Sequence, residues 1–131
     1  MQLRDKKKNI FFPGFWGIFG GNIKLKESPS KAITRELGEE INLNFRTPIK
    51  KLRLDIYSEL FNPKRKRTFY VCKPKKIPKK IKINEGKKFG LFSYNQLKKL
   101  RVVPFDFSAI SYHYFSEIKK IQILLNPLDL I

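Results

Sequence analysis

The spacing of apolar residues predicts one amphipathic helix in the first third of the chain. Apolar side chains recur at helical spacing after Ser28, at Ala32, Ile33, Leu37 and Ile41, and would form a single buried face. Ser28 is a suitable N-cap and Pro29 fits the first helical position. Asn42 is a suitable residue to end the helix. The pattern therefore predicts a helix that begins at residue 29.

Alternating apolar and polar residues predict strands on both sides of this helix. Residues 51–61 and 67–73 are rich in β-branched, aromatic and alternating apolar residues, and Asn62-Pro63 between them favours a turn. We expect these two segments to form a hairpin. Further strand patterns lie at residues 80–83 and 89–92. Before the helix, residues 1–21 interleave glycines with aromatics, which is typical of short strands and turns.

Two more helices are predicted towards the C-terminus. Ser93 is placed to cap a short helix through Leu100. Asp106 or Ser108 would cap a longer one, whose apolar stripe is Ile110, Tyr114, Ile118 and Ile121. A helix cap is the favoured role for Asp106, ahead of a metal ligand. We find no repeat and no linker, so residues 1–131 are predicted to form one domain of mixed α and β structure.

Composition narrows the class of protein. With 131 residues, 41% hydrophobic and 14% aromatic, the chain is apolar enough to fold. Its apolar runs are far shorter than the roughly 20 residues that span a bilayer, so we expect no membrane helix. The N-terminus lacks the apolar core of a secretory signal. A single cysteine, Cys72, excludes an internal disulfide and a cysteine-based zinc site. A cytoplasmic location is expected.

The charge balance is strongly basic. Lys and Arg number 29 against 11 Asp and Glu, a formal net charge of +18. Such a charge attracts phosphate backbones, and eight lysines lie within residues 73–88. No recognised nucleic-acid motif accompanies them, and a solvated lysine-rich surface explains them as well. A nucleic-acid partner is therefore possible but not favoured.

The predicted first helix also carries an acidic cluster. Glu36, Glu39 and Glu40 stand at positions i, i+3 and i+4, so they project from one side of the helix. Carboxylates this close repel one another unless a cation lies among them, and Mg²⁺ or Mn²⁺ prefers such oxygen ligands. A solvated acidic helix face is the alternative. In so basic a chain, the placement of 4 of its 11 acids within residues 21–43 favours a site.

Residues 21–43 resemble the Nudix box, Gly-x5-Glu-x7-Arg-Glu-U-x-Glu-Glu-x-Gly-U, in which U is aliphatic. The matching residues are Gly21, Glu27, Arg35, Glu36, Leu37, Glu39, Glu40 and Leu43. Asn42 replaces the final glycine of the box. Because asparagine tolerates the left-handed conformation next best after glycine, we expect this departure to be mild.

The flanks extend the resemblance. Residues 16–21, WGIFGG, are similar to the lead-in of Nudix domains, and residues 2–5 resemble the end of the strand before it. The resemblance implies a single Nudix domain over residues 1–131, an α/β/α sandwich with a mixed β-sheet. That first strand looks truncated, since Nudix domains usually begin with a longer one. Either the start codon is misassigned, or the chain is a fragment, or another segment covers that sheet edge. An edge left uncovered would tend to pair with another chain.

The resemblance also implies roles for individual residues. Members of the family hydrolyse a nucleoside diphosphate linked to another moiety. By position, Glu36, Glu39 and Glu40 would hold Mg²⁺, with Mn²⁺ as a substitute and the Gly20 carbonyl as a further ligand. Supporting roles fall to Arg35, which would orient Glu36, to Glu27, which would brace the loop, and to Gly21. The general base would be Glu40 or Glu85.

Several alternatives remain open from the sequence. The substrate is expected to be a nucleotide-type small molecule, with a nucleoside triphosphate or a nucleotide sugar favoured. A basic nucleotide-binding or nucleic-acid-binding module without turnover is the competing hypothesis. Trp16 and Phe15 are interpreted as core residues rather than base-stacking ones, His113 as structural and Cys72 as inert. An apolar tail at residues 121–131 makes a homodimer possible.

Overall fold

The computed structural model describes residues 1–41, 50–58, 65–72, 81–84 and 88–118. In chain order these residues form β1 (Gln2–Leu3), β2 (Trp16–Gly17), α1 (Pro29–Glu40), β3 (Lys50–Ser58), β4 (Arg65–Val71), β5 (Lys88–Phe89), α2 (Tyr94–Leu97), α3 (Pro104–His113) and a π-helical turn at Tyr114–Ile118. This mixture of helices and strands confirms the predicted α/β class.

The N-terminal strand lies in the centre of a small sheet. The strand order is β2-β1-β5, and β1 pairs antiparallel with both neighbours, so that Gln2 lies opposite Gly17 on one side and Phe89 on the other. Both edges of β1 are paired, so neighbouring segments cover this strand on each side. Among the described residues, parallel pairing occurs at a single bridge, between Trp16 and Val102.

The predicted hairpin is confirmed as a second, two-stranded sheet. Strands β3 and β4 pair antiparallel from Lys50 opposite Val71 to Ser58 opposite Arg65, with one irregularity between Lys51 and Asp55. Its expected turn at residues 62–63 lies outside the described residues.

Helix α1 has the predicted start. The Ser28 hydroxyl accepts a hydrogen bond from the Lys31 N–H at 3.3 Å, and Pro29 occupies the first turn. The buried face includes Ala32, Leu37 and Ile41. The helix ends at Glu40, and the proposed terminator Asn42 lies outside the described residues.

Asn84 completes the C-terminal end of α1. Its backbone N–H donates to the Glu40 carbonyl and its side-chain amide to the Glu39 carbonyl, both at 2.9 Å. A bridge between Ile41 and Ile83 supports the same contact. Because the last carbonyls of a helix lack partners within it, these bonds anchor the turn that carries two acids of the cluster.

The C-terminal helices differ in part from the sequence prediction. Ser93 does cap α2, in a capping box with Gln96, but the helix ends at Leu97 rather than Leu100. Helix α3 begins at Pro104 with Val103 as its N-cap residue, so the predicted cap at Asp106 or Ser108 is wrong. Proline is preorganised for the first helical position and holds the residue before it in an extended conformation, which sets this boundary.

Two predicted strands are shorter than expected. Within residues 81–84 the pairing is confined to the Ile83 bridge, and β5 covers Lys88–Phe89 instead of residues 89–92. After β5 the Phe92 ring folds over Gly90, where it occupies the space of a missing Cβ. The chain therefore turns at this glycine instead of continuing the strand.

The core joins α3 to the hairpin. Phe69 on β4 and Ala109 on α3 are buried against each other, and partly buried apolar side chains pack around them, at Ile18, Ile56, Val71, Phe105 and Tyr112. In the described part of the chain, no helix has the length and apolar character needed to cross a membrane.

Candidate active site

A glycine turn after β2 lies against two carboxylates of α1. The Gly20 N–H donates to Glu40 Oε2 at 2.8 Å, and Gly20 has a φ of +144°, in the region that favours glycine. At Gly21, a Cβ atom would lie 2.5 Å from the carboxyl atoms of Glu36. The Gly20-Gly21 turn thus contacts both acids, and the absence of side chains permits it.

Glu40 is the most enclosed acid of the cluster. It is 5% exposed, and the side-chain amide of Gln2 donates to its Oε1 at 3.0 Å while Gly20 donates to Oε2. Gln2 itself is 6% exposed, on the central strand β1. Both carboxylate oxygens are therefore held by uncharged donors. Gln2 lies outside the Nudix box, and no signal in the sequence identified it.

Arg35 joins the other acids of the cluster. Its guanidinium donates to both carboxylate oxygens of Glu27 at 2.9 and 3.0 Å, to Glu36 Oε1 at 2.6 Å and to Glu39 Oε2 at 3.1 Å. A fifth bond goes to the Asn22 carbonyl at 3.0 Å. The expected ion pair between Arg35 and Glu36 is present.

Glu27 braces the loop against the helix. Besides the two bonds from Arg35, its Oε2 accepts the Lys24 N–H at 2.9 Å. The hydrogen bonds from Arg35 and Lys24 lower the pKa of Glu27 to about 2, and the carboxylates of Glu27 and Glu36 raise the pKa of Arg35. Glu27 and Arg35 therefore both stay ionised throughout the neutral range.

The acids suit a hard cation by donor type. The carboxylates of Glu36, Glu39 and Glu40, together with the Gly20 carbonyl, would offer the oxygen ligands that Mg²⁺ and Mn²⁺ prefer. The side chains of Glu36 and Glu39 meet at one nitrogen of Arg35, and among the described residues no three acidic, His or Cys side chains converge on a single point. The assignment of these four residues to a metal stays a prediction.

A cleft of about 700 Å³ opens beside the glycine turn. Gly20, Gly21 and Glu36 line one part of it. Five aromatic residues also line it, namely Phe11, Phe12, Phe19, Phe69 and Tyr70, together with the cations Arg4, Lys66 and Arg67. Cavities of this size hold small organic ligands. The aromatic faces can stack on a planar ring, and the cations can pair with phosphate groups.

Asp106 lines the cleft on the side of α3. Its Oδ2 accepts the Ile18 N–H at 3.0 Å. Burial raises the pKa of Asp106 to about 6, against the opposing charges of Arg4 and Arg67. The sequence favoured a helix cap here and missed a cleft residue, because the residues around Asp106 come from three distant segments.

The remaining singled-out residues lie elsewhere. Trp16 packs edge-on against Phe92 with ring centroids 4.7 Å apart, and Phe15 against Phe12 at 5.5 Å. Neither is among the described residues that line the cleft. Burial raises the pKa of the Cys72 thiol, which agrees with an inert cysteine.

The remaining predictions concern His113 and several segments outside the described residues. His113, interpreted as structural, is partly buried at the end of α3. Glu85, most of the basic segment at residues 73–88 and the apolar tail at residues 121–131 lie outside the described residues. Their roles stay predictions.

Comparison with known proteins identifies the family. The NUDIX domain family model matches residues 3–112, which covers the glycine turn, all of α1 and the cleft residues from β4 and α3. No curated protein matched the chain, and no solved structure did. The family match spans most of the sequence and includes the box residues that meet at the turn. The chain therefore belongs to the Nudix family of hydrolases, which act on diphosphate bonds.

Proposed function

We propose that this chain is a Mg²⁺-dependent pyrophosphohydrolase that cleaves a nucleoside diphosphate linked to another moiety. The observation that carries this proposal is the Gly20-Gly21 turn, which contacts Glu36 and Glu40 and lines the cleft beside Glu36. A diphosphate bound in the cleft would thus lie against the acids of the box.

The chain's own residues would prepare this site in advance. Arg35 holds Glu36 and Glu39 through one nitrogen, at 2.6 and 3.1 Å, so neither carboxylate has to find its orientation during the reaction. Glu27 keeps Arg35 in place through two further bonds. We assign these two residues to positioning rather than to proton transfer.

Glu40 is our first candidate for the general base. Its carboxylate is fixed by Gln2 and Gly20, and its backbone is fixed by Asn84. A base must be held within hydrogen-bond reach of the water that it activates, and this double anchoring provides such rigidity. Glu85 is the second candidate, because Asn84, the residue before it, donates to the Glu40 carbonyl.

Glu36, Glu39, Glu40 and the Gly20 carbonyl are the groups that would hold Mg²⁺, or Mn²⁺ as a substitute. When bound, the ion would neutralise phosphate charge and acidify the attacking water. Their oxygen donors fit such a hard ion, and two of these residues, Gly20 and Glu36, line the cleft.

A nucleoside triphosphate or a nucleotide sugar is the proposed substrate class. Arg4, Lys66 and Arg67 line the same cleft as the aromatic rings, and cations in a cleft attract anionic substrates. We propose the cytoplasm as the location.

A basic binding module without turnover is the second candidate. The net charge of +18 favours it. It predicts binding of RNA or DNA that weakens steeply with salt and survives Glu40→Gln.

A phosphate-release screen separates the two candidates. The panel contains nucleoside triphosphates, nucleotide sugars, ADP-ribose, dinucleoside polyphosphates and capped RNA, each with Mg²⁺, with Mn²⁺ and with a chelator. We expect metal-dependent turnover that Glu40→Gln abolishes and Lys31→Gln, a change at an exposed cation of α1, retains. Folded protein that turns over no member of the panel would support the binding module instead.

A further inference from the structure

We propose that two loops at the mouth of the cleft bind the surface of an anionic lipid bilayer. The hairpin loop, residues 6–13, lies between β1 and β2, and the box loop, residues 22–26, follows the glycine turn. Both loops combine lysines with exposed apolar side chains. The proposal goes beyond diphosphate hydrolysis and does not depend on turnover.

Large apolar side chains of both loops are exposed. Leu25 is 92% exposed, Ile23 is 52% and Phe11 is 45%, and outside the loops the described residues add Leu91 at 59%. Phe11 and Ile23 also line the cleft, so the two loops lie beside each other at its mouth. Soluble proteins rarely expose apolar side chains together unless the surface binds a partner. The mouth of the cleft is therefore a candidate docking surface.

Lysines accompany these apolar residues. The two loops contain no acidic residue and five exposed lysines, namely Lys6, Lys7, Lys8, Lys24 and Lys26. Among the described residues, Lys7 pairs with Asp5 at 3.9 Å, and an exposed ion pair contributes little. Each lysine close to an anionic leaflet strengthens binding by about fivefold. The charge of both loops thus complements a negatively charged surface.

Hydrogen bonds fix the box loop in one conformation. Arg35 donates to the Asn22 carbonyl at 3.0 Å. The Glu27 N–H donates to the Lys24 carbonyl at 3.0 Å, and the Glu27 carboxylate accepts the Lys24 N–H at 2.9 Å. Because both ends of the loop are held, Leu25 between them stays exposed. A surface that is already ordered loses little entropy when it binds.

The hairpin loop is fixed in a similar way. The Arg4 side chain donates to the Phe11 carbonyl at 2.8 Å, and the Phe15 N–H donates to the Phe12 carbonyl at 3.2 Å. Phe12 has a φ of +50° and Lys26, in the box loop, a φ of +63°. Among the described residues these two are the non-glycine residues with positive φ. Such conformations are costly and cluster at binding sites.

A lipid bilayer matches this combination better than other partners. Lysine is depleted in protein–protein interfaces, whereas five lysines lie here among the apolar residues. A nucleic acid pairs with lysines through its phosphates but offers no apolar surroundings for Leu25. At a membrane, lysine ammonium groups reach the headgroup phosphates while apolar side chains enter the acyl boundary. Both features of the loops are then used at once.

The first test measures co-sedimentation of the full chain with vesicles. Phosphatidylcholine vesicles with about one-third phosphatidylglycerol should bind the chain, and binding should weaken as salt is raised. Leu25→Ser should lower the partition coefficient about tenfold. Leu91→Ser, the matched change at an exposed leucine outside both loops, should leave it unaltered. A wild-type chain that stays in the supernatant, or equal binding by both variants, would overturn the proposal.

A second comparison separates the loops from the overall charge. Lys24→Gln combined with Lys26→Gln should lower the partition coefficient about 25-fold, since each lysine accounts for about fivefold. Lys98→Gln combined with Lys99→Gln removes the same charge at two exposed lysines after α2 and should change it by no more than about twofold, because salt screens distant charges. Equal losses in the two double variants would assign binding to the net charge alone and refute the role of the loops.

Insertion of the box loop is measured with a fluorescent side chain. Leu25→Trp adds a tryptophan to the single Trp16 of the chain. Anionic vesicles with brominated acyl chains should quench the fluorescence of Leu25→Trp strongly, and that of Leu91→Trp and of wild type weakly. Quenching that is equal in the three proteins would contradict insertion of the loop.

Other occupants of the loops give different results. A second copy of the chain would appear as a dimer of the free wild-type protein in analytical ultracentrifugation, and Leu25→Ser would dissociate it. RNA as the partner would show binding that weakens about tenfold in Leu25→Ser while vesicle binding is unchanged. Either result would overturn the proposal. A free protein with the same mass in wild type and Leu25→Ser, together with vesicle binding that only the wild type keeps, supports it.

Discussion

Two carboxyl groups near the cleft have pKa values displaced in opposite directions. Glu27 is bound by the fork of Arg35, and its pKa falls to about 2. Asp106 faces Arg4 and Arg67 without a hydrogen bond from either among the described contacts, and burial raises its pKa to about 6. Direct contact with a guanidinium outweighs desolvation at Glu27, and desolvation outweighs more distant charges at Asp106.

The difference separates two environments for a carboxyl group, one at the Arg35 guanidinium and one in the cleft that Asp106 lines. Beside Arg35 the carboxylate of Glu27 stays ionised throughout the neutral range, because hydrogen bonds from Arg35 lower its pKa. Asp106 changes charge near pH 6, because burial disfavours its ionised form. Substitutions around Arg35 and at Asp106 test this contrast.

The largest effect is expected at Glu40. We predict that Glu40→Gln lowers kcat by about 10²- to 10⁴-fold, the range for a lost general base. The change keeps one acceptor but turns an amide towards the donors Gln2 and Gly20, so some loss of stability accompanies it. Turnover is measured on protein whose fold is verified by circular dichroism. Turnover near the wild-type rate would remove Glu40 from the chemistry.

The raised pKa of Asp106 predicts that the free energy of unfolding depends on pH. The folded pKa of about 6 lies above the ordinary value of 3.8, so folding carries no penalty below pH 3.8 and the full penalty above pH 6. Two pKa units correspond to about 3 kcal/mol. Relative to wild type, Asp106→Asn should therefore gain about 2.5 kcal/mol in the free energy of unfolding between pH 4, where the penalty is already partly present, and pH 7. Urea titrations at both pH values measure it, and a constant difference would refute the pKa assignment.

Arg35→Lys tests whether the Arg35 guanidinium positions the acids around it. A lysine offers one point charge in place of a fork, so it cannot hold Glu27, Glu36 and Glu39 together. Loss of such a positioning residue costs about 10- to 100-fold in activity or metal affinity. Lys31→Gln on the same helix is the control. Metal titrations of kcat/KM measure the loss, and equal metal dependence in both variants would contradict the role.

Arg35→Lys should also raise the pH at which the protein unfolds in acid. Because the pKa of Glu27 is depressed, its contribution is present above about pH 4.5 and is lost as the pH falls through about 2. Without the two hydrogen bonds from the guanidinium to Glu27, acid unfolding of Arg35→Lys should begin at a higher pH than in wild type. Acid titration followed by tryptophan fluorescence measures this midpoint.

Two glycines provide the smallest and most local comparison. Gly21→Ala places a Cβ against the Glu36 carboxyl group, whereas Gly38→Ala meets nothing within 4 Å. Because small displacements of catalytic groups are costly, we expect about tenfold lower activity for Gly21→Ala. Gly38→Ala should keep activity and gain about 0.5–1 kcal/mol, since alanine favours a helix interior. Equal activity in both variants would show that Glu36 can move freely.

Local patterns predicted the box helix well. Ser28, Pro29 and the apolar face of α1 appear as expected, because capping and helical spacing depend on residues close in sequence. The pairing of Arg35 with Glu36 was likewise within reach of the sequence. The start of α3 was wrong, since acidic and hydroxyl residues at 106 and 108 looked like caps while Pro104 determined the boundary.

The sequence by itself determined the family, the box residues and the α/β class, since each depends on a motif or a periodicity within about 20 neighbouring residues. Tertiary structure alone decided that Gln2 holds Glu40, that Asn84 completes α1 and that Asp106 shares a cleft with Arg4 and Arg67. These contacts join residues 38 to 102 positions apart. No local pattern encodes them, because the packing of distant segments brings the groups together.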